Sequence, residues 1–358
     1  MNLEQLINTL RDLYRSYGYS AYSMSKFEEY ELYLRNKDFL ISDRVLTFTD
    51  TDGKLMALKP DVTLSIIKNA PRGSVGAQKV FYQENVYRPG KNDQGFREIM
   101  QVGLECIGAV DTYCILEVLL LAVKSLCAIS PNCVLDISHM GLLSKALDEA
   151  GLIGAVRKQA LEAVGNKNAH EIMRICQNAG ADSKKLSALA QLSGKANAVL
   201  PQLETMFPNA PELLQLRQLL TALDKAGADC ANVDFSVVND MNYYNGIVFR
   251  GFVEGVPEGV LSGGQYDTLM TKMKRTDQAI GFALYPDLLE RLFQPQRDSV
   301  DAVLCYDGGA DISAVAEAMA AFEKQGIRAL AQPGNHNIAG CKCYRLVGNE
   351  VKVIEDNA

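Results

Sequence analysis

The sequence predicts an α+β fold: an antiparallel sheet flanked by helices, interrupted by an all-helical insertion and followed by a small α/β module. Three observations predict it. Strand-like segments come in adjacent pairs joined by turn residues, which is how antiparallel neighbours are encoded. Between about 141 and 231 the composition shifts to Ala, Leu, Lys and Glu at helical spacing, broken at Gly151, Gly165, Gly180 and Pro208. After a linker at 294–299, a strand–helix–strand pattern begins. The expected organisation is therefore a domain at 1–295, with its insertion at about 141–231, and a second domain at 299–358.

Taken in order, Leu3 to Tyr17 carries apolar residues at 3, 6, 7, 10, 13 and 14, the spacing of an amphipathic helix, and Gly18 is placed to end it. Val45 to Thr51 and Lys54 to Leu58 flank Asp52-Gly53, a hairpin signal. Val80 to Tyr87 and Glu98 to Ile107 predict two antiparallel strands around a loop with Pro89, Gly90 and Gly95. Asp111 to Ala128 is apolar nearly all round and predicts a buried helix. Beyond the insertion, strands are expected at Val233 to Val238, Gly246 to Phe252 and Ala279 to Tyr285, then a helix at Asp287 to Phe293. The last unit reads as strand Ala302 to Tyr306, helix Ile312 to Gln325, and strands Arg328 to Ala331, Cys343 to Val347 and Val351 to Ile354.

The 358 residues, 48% hydrophobic and 22% charged, have the composition of a globular protein with two or three domains. The longest strongly apolar run, Val118 to Val123, is far short of the roughly 20 residues a membrane span needs. The opening Met-Asn-Leu-Glu-Gln-Leu-Ile lacks the pattern of a secretory signal, so the expected location is the cytoplasm. Nine cysteines in mostly apolar segments read as reduced core thiols. Cys341 and Cys343 have only His336 as a neighbouring ligand type, so two positions on one face of a strand are expected there rather than a metal site. No metal or cofactor is expected. The net charge is −7, and 299–358 holds eight acidic against five basic residues, which argues against a broad phosphate-binding surface and against tRNA binding.

Several segments carry polar groups in patterns suited to a ligand. In Leu58–Thr63 (Leu-Lys-Pro-Asp-Val-Thr), a carboxylate and a hydroxyl two residues apart on an extended segment face the same side and can hold an ammonium group; a turn capped by Asp61 is the alternative. Gln101 and Glu105, four apart on a strand, share a face and can reach one ligand, or simply mark the wet side of a half-buried sheet. Tyr243 and Tyr244 lie in Asn-Asp-Met-Asn-Tyr-Tyr-Asn-Gly at 239–246, and Gly263 and Gly264 in Ser-Gly-Gly-Gln-Tyr-Asp at 262–267. An aromatic pair and a Gly-Gly pair have packing and turn readings of their own.

In their order along residues 1 to about 293, these segments resemble the catalytic domain of class II histidyl-tRNA synthetases. Leu10 to Tyr33 is similar to motif 1, a helix feeding a long interface strand, with Ser25 at the motif's proline. Val80 to Gly108 is similar to motif 2. The resemblance implies a class II synthetase-like fold, a homodimer, and a histidine pocket. Asp61 and Glu105 would hold the ammonium and imidazole ends, Thr63 and Gln101 would orient the ligand, and Tyr243 and Tyr244 would bond the imidazole. It also places Arg88 at the arginine that grips the α-phosphate, with Arg97 as a second possible vestige of phosphate binding.

The departures from the family pattern fall on cations. Asn239 stands at the arginine that bridges the amino acid and ATP, Leu288 at the motif 3 arginine, and Tyr285 at a motif 3 glycine. Removing one preorganised electrostatic group typically costs about 10² to 10³ in rate, so two losses imply little adenylation. A histidine pocket without an activation site, with a short acidic C-terminal module, resembles the synthetase paralogues that act as regulatory subunits of ATP phosphoribosyltransferase. That resemblance implies a non-catalytic role in the first step of histidine biosynthesis, a short-form catalytic partner within a hetero-oligomer, and L-histidine as feedback effector. A divergent histidyl-tRNA synthetase and a histidine-sensing module for another partner are the alternatives.

Overall fold

The computed structural model describes residues 2–40, 42, 44–71, 76–90, 95–238, 243–293, 300–334 and 341–354. They form two compact units, Leu3–Leu292 and Phe293–Ala358. The first opens with α1 (Leu3–Ser16), which buries Leu6, Ile7, Leu10 and Tyr14 on one stripe and gives way to Gly18 at φ +80°. Two short strands follow, β1 (Ser20–Ala21) and β2 (Phe27–Glu29), then α2 (Tyr30–Arg35). The hairpin β3 (Thr47–Thr49) and β4 (Leu55–Leu58) turns at Asp52-Gly53 as expected and pairs with β2 in a three-stranded sheet.

The long interface strand expected near motif 1 is not formed. β1 pairs parallel with β5 (Ala77–Pro89) in the large sheet, whereas β2 pairs with β4 in the small one, so the chain breaks between them as it changes sheets. Glu84 marks the crossing: its Oε1 accepts from Met24 N at 3.1 Å and its Oε2 from Lys59 Nζ at 2.5 Å. Between β4 and β5 lies α3 (Thr63–Asn69), whose last carbonyls are clasped by Arg275: Nη1 donates to Ile67 O and Ala70 O, and Nη2 to Pro71 O.

β5 and β6 (Phe96–Gly108) pair antiparallel along their whole length. α4 (Thr112–Ile129) is capped by Asp111, whose side chain accepts from Cys114 N at 2.8 Å. By length and composition α4 resembles a membrane span, but more than half of it is buried within the fold. A strand absent from the sequence reading, β7 (Cys133–His139), precedes the helical region α5 (Met140–Glu149), α6 (Gly154–Gly165), α7 (Ala169–Ala179), α8 (Lys184–Gln191), α9 (Ala196–Met206) and α10 (Pro211–Lys225), with a two-residue β8 (Ser193–Gly194) before α9. β9 (Ala231–Asp234) is shorter than expected, because Asp234 Oδ1 accepts from Ser236 N and turns the chain. Then come β10 (Ile247–Val253), β11 (Leu261–Gln265), α11 (Asp267–Lys272) and β12 (Gln278–Leu284). The helix expected at Asp287 to Phe293 is only a 3-10 turn, Pro286–Leu289; the Asp287 carboxylate accepts from Met100 N on β6 instead of supporting a longer helix.

The large sheet has the order β1-β5-β6-β12-β11-β10-β7-β9-β8 and is mostly antiparallel. One face is covered by α1 and α4. There Tyr14 packs on Phe81 and Phe282 at ring distances of 6.1 and 6.0 Å, and its Oη pairs with Ser125 Oγ at 3.0 Å. The other face carries Val80, Tyr82, Val86 and Ile107 against Tyr33, Val62, Leu64 and Tyr266. On that second face the register lines up Glu105 with Gly281 and Gly264, and Gly103 with Ala283, Ser262 and Arg250. Glycines, an alanine and a serine thus lie between Glu105 and Arg250 on this face.

The C-terminal unit is β13 (Ala302–Tyr306), α12 (Ile312–Lys324), β14 (Ala329–Pro333), β15 (Lys342–Val347) and β16 (Glu350–Ile354), in the sheet order β14-β13-β15-β16. α12 packs Ala314, Ala318 and Phe322 on Leu304 and Leu346. Cys341 and Cys343 are buried with Val303 and Cys305, while His336 lies outside the described residues.

Candidate functional site

The face described above bounds a cavity of about 760 Å3. Asp61, Thr63, Gln101, Glu105, Tyr243 and Tyr244 all line it, together with Arg88. Arg97 is Arg88's cross-strand neighbour but does not line the cavity. Asn239 lies outside the described residues.

Asp61 and Thr63 do not sit on an extended segment. Thr63 opens α3, and Asp61 Oδ1 accepts from Leu64 N at 2.8 Å, so the capping alternative is the one realised. A helix start suits this sequence because Pro60 fixes the approach and Asp61 satisfies an otherwise orphaned amide. The other oxygen of Asp61 faces Arg88, with Nη2 at 3.9 Å from Oδ2. Arg88 is further occupied, its Nε donating to Pro60 O at 2.8 Å. Burial raises the Asp61 pKa and the Arg88 charge opposes that rise.

Glu105 is the centre of the site. It is 2% exposed, yet both its oxygens are used: Thr63 Oγ1 donates to Oε1 at 2.8 Å and Tyr266 Oη donates to Oε2 at 2.6 Å. Burial pushes its pKa up to about 8; the Tyr266 and Thr63 hydrogen bonds pull it down, and the nearby Asp61 charge raises it. Burial thus favours the neutral form of this carboxyl, and the two hydrogen bonds it accepts favour the charged one.

The aromatic wall is continuous. Tyr243 and Tyr244 lie 4.5 Å apart by ring centroid, Tyr243 meets Tyr266 and Phe39 at 5.9 Å each, and burial raises the phenol pKa of all three tyrosines. Two glycines make room for these groups. A Cβ on Gly281 would lie 1.8 Å from Glu105 Oε2, and one on Gly264 would lie 2.6 Å from Tyr244 Cδ1. Gly263 and Gly264 are thus strand residues of β11 that neighbours overlie, not a turn.

The sequence reading missed Tyr82, Arg250, Ser262 and Tyr266 as lining residues. Tyr266 stands in the very segment at 262–267 that drew attention, and Tyr82 shares strand parity with Arg88. Tyr285, noted only as a departure, reaches into the cavity with its Oη 3.3 Å from Ser262 Oγ, whereas Leu288 is not a lining residue. Chemically, the cavity offers four carboxyl groups (Asp38, Asp61, Glu105 and Glu258), an amide, several phenols and Arg250, with Arg88 engaged by Pro60 and Asp61. Carboxyl groups, an amide and phenols can accept hydrogen bonds from an amine or a ring N–H.

Residues 1–289 match the histidyl-tRNA synthetase family profile. Among curated proteins, the ATP phosphoribosyltransferase regulatory subunit of Oceanobacillus iheyensis is 26% identical over 81% of this chain and 74% of its own length. The histidine–tRNA ligase of Methanosarcina acetivorans is 28% identical over 73% of this chain and 64% of its own. Among solved structures, an ATP phosphoribosyltransferase regulatory subunit/histidyl-tRNA synthetase from Bacillus halodurans has the same fold, with a TM-score of 0.77 at 22% identity over 94% of this chain and 90% of that one.

Proposed function

We propose that this chain, which belongs to the histidyl-tRNA synthetase family, is a non-catalytic regulatory subunit of ATP phosphoribosyltransferase that binds histidine and does not activate it. The observation that carries the reading is the asymmetry of the cavity. Its amine- and imidazole-binding groups are together, while Leu288 stands at the motif 3 arginine and Arg88 is engaged by Asp61 and Pro60. Forming an adenylate brings a carboxylate up to a triphosphate and demands fixed cations. The name borne by the Oceanobacillus relative points the same way.

In this reading Asp61 takes the ligand's ammonium and Glu105 its imidazole. Gln101 orients the ligand, Tyr243 and Tyr244 close over it, and Thr63 acts through Glu105. The partner is a short-form catalytic subunit that condenses ATP with phosphoribosyl pyrophosphate in the first step of histidine biosynthesis, and histidine is the feedback effector. A coupling of about 1–3 kcal/mol between pocket and partner suffices for several-fold to hundred-fold regulation. The chain works as a homodimer. The small sheet supports this, because it exposes Phe27, Phe48 and Leu55, with Leu34 exposed on α2.

Reconstitution tests the reading. Added to a purified short-form phosphoribosyltransferase, the chain should raise its activity and make it sensitive to histidine. Histidine-dependent exchange of pyrophosphate into ATP by the chain alone would instead establish the second reading, a divergent synthetase, which the Methanosarcina relative favours.

A further inference from the structure

Outside the lining of that cavity, three cysteines converge from three elements. Cys127 lies near the end of α4, Cys133 begins β7, and Cys230 immediately precedes β9. Their sulfurs all lie within 4.8 Å of one another, and the Sγ atoms of Cys127 and Cys133 are 3.7 Å apart. The topology fixes this meeting. β7 and β9 run parallel with Leu135 opposite Ala231, Leu135 N donates to Cys230 O at 2.9 Å, and the turn after α4 is pinned by Glu254 N donating to Asn132 O at 3.0 Å.

We propose that Cys127, Cys133 and Cys230 form a site for one thiophilic d10 cation of the Zn2+ type, bound by three thiolates with a fourth position open to solvent. Zn–S bonds of about 2.3 Å in a tetrahedron set sulfurs about 3.8 Å apart, the spacing the Cys127–Cys133 pair already has. Soft thiolate ligands select zinc over calcium or magnesium. The burial gradient suits entry: Cys133 is buried, Cys230 intermediate and Cys127 exposed, so an ion reaches the sulfurs from the Cys127 side. In the metal-free site, burial raises the Cys133 and Cys230 thiol pKa values. The cation replaces the thiol protons, which leave to solvent, and no redox change is involved. Affinity therefore falls as pH falls.

The test uses the full chain, kept reduced and stripped of metal. Cd2+ is titrated while thiolate-to-metal absorbance is followed, and Zn2+ is measured by competition with a chromophoric chelator. One ion per chain is expected. Cys127→Ser, at an exposed position that leaves the core intact, should weaken binding at least about tenfold and lower the absorbance, since even outer-shell losses cost that much. Cys133→Ser should do the same, and Cys176→Ser, a buried cysteine outside the cluster, should change neither readout. No absorbance at equimolar Cd2+, or equal affinity in the wild type and Cys127→Ser, overturns the site.

Discussion

Tyr266 donates its hydroxyl hydrogen to Glu105 Oε2 across 2.6 Å, joining residues 161 positions apart in a buried pair at the heart of the cavity. Glu105, with its pKa pushed up to about 8, keeps its proton in the folded protein at pH values where the unfolded chain has lost it. Its stabilising contribution is complete below the ordinary carboxylate pKa and is lost as pH rises towards 8, at about 1.4 kcal/mol per pH unit. Glu105→Gln removes that slope. Thermal unfolding of wild type and variant between about pH 5 and 8 should show the wild type losing stability relative to the variant as pH rises, and parallel curves would rule the assignment out.

Tyr266→Phe leaves one carboxyl oxygen of Glu105 without its partner. A cost of about 1–3 kcal/mol is expected in urea unfolding, the penalty for an unmet buried polar group. Because the Tyr266 bond lowers the Glu105 pKa, its removal should also move the pH transition upward. An unchanged transition would mean that the bond does not tune the carboxyl.

At Gly281, a Cβ would lie 1.8 Å from Glu105 Oε2 and 2.4 Å from Leu104 O, the second of which is backbone. Gly281→Ala should destabilise the chain by about 1–3 kcal/mol through overpacking and abolish the heat of histidine binding in calorimetry. Gly308→Ala, where nothing lies within 4 Å, is the control and should do neither.

Lys59 is 1% exposed and bonds Glu84 at 2.5 Å, on the turn where the chain leaves one sheet for the other. Lys59→Ala leaves the part-buried Glu84 carboxylate with only Met24 N as partner among the described residues and should cost about 1–3 kcal/mol, whereas Lys59→Met with Glu84→Leu should recover most of that loss. Chemical denaturation of the two variants decides whether the pair stabilises the fold or merely compensates itself.

Phe27 and Phe48 stack edge to face at 5.4 Å while both remain exposed. If that patch is the dimer contact, Phe48→Asp should shift the chain to monomer in light scattering with little change in melting temperature. Persistence of the dimer would place the contact elsewhere.

Most of the fold was legible in periodicity. α1, the β3–β4 hairpin, the β5–β6 pair, the helical region and all five C-terminal elements lie where apolar spacing and turn residues put them. Besides the broken motif 1 strand, the unforeseen β7 and the shortened β9, two further departures have one cause each. β11 reads Leu-Ser-Gly-Gly-Gln, with almost no strand propensity, and is a strand because β10 and β12 bond it on both sides and because overlying side chains require its glycines. The helix after β12 failed because a side chain, Asp287, found a distant backbone partner that no local pattern encodes. For the site, residue spacing brought Gln101 and Glu105 to one face, but the Tyr266 bond to Glu105 depends on the cross-strand register, which spacing within one segment does not contain.

Both ends of α3 are moored: Asp61 holds the first turn through Leu64, and the Arg275 guanidinium grips the final carbonyls from the loop between α11 and β12. A seven-residue helix fastened in this way has no slack to absorb a displacement at its cavity end. A ligand that draws on Asp61 is therefore expected to pass the displacement through α3 to Arg275. In hydrogen exchange, the amides of α3 and of the strand beyond Arg275 should then slow together when the cavity fills, as one mechanical body.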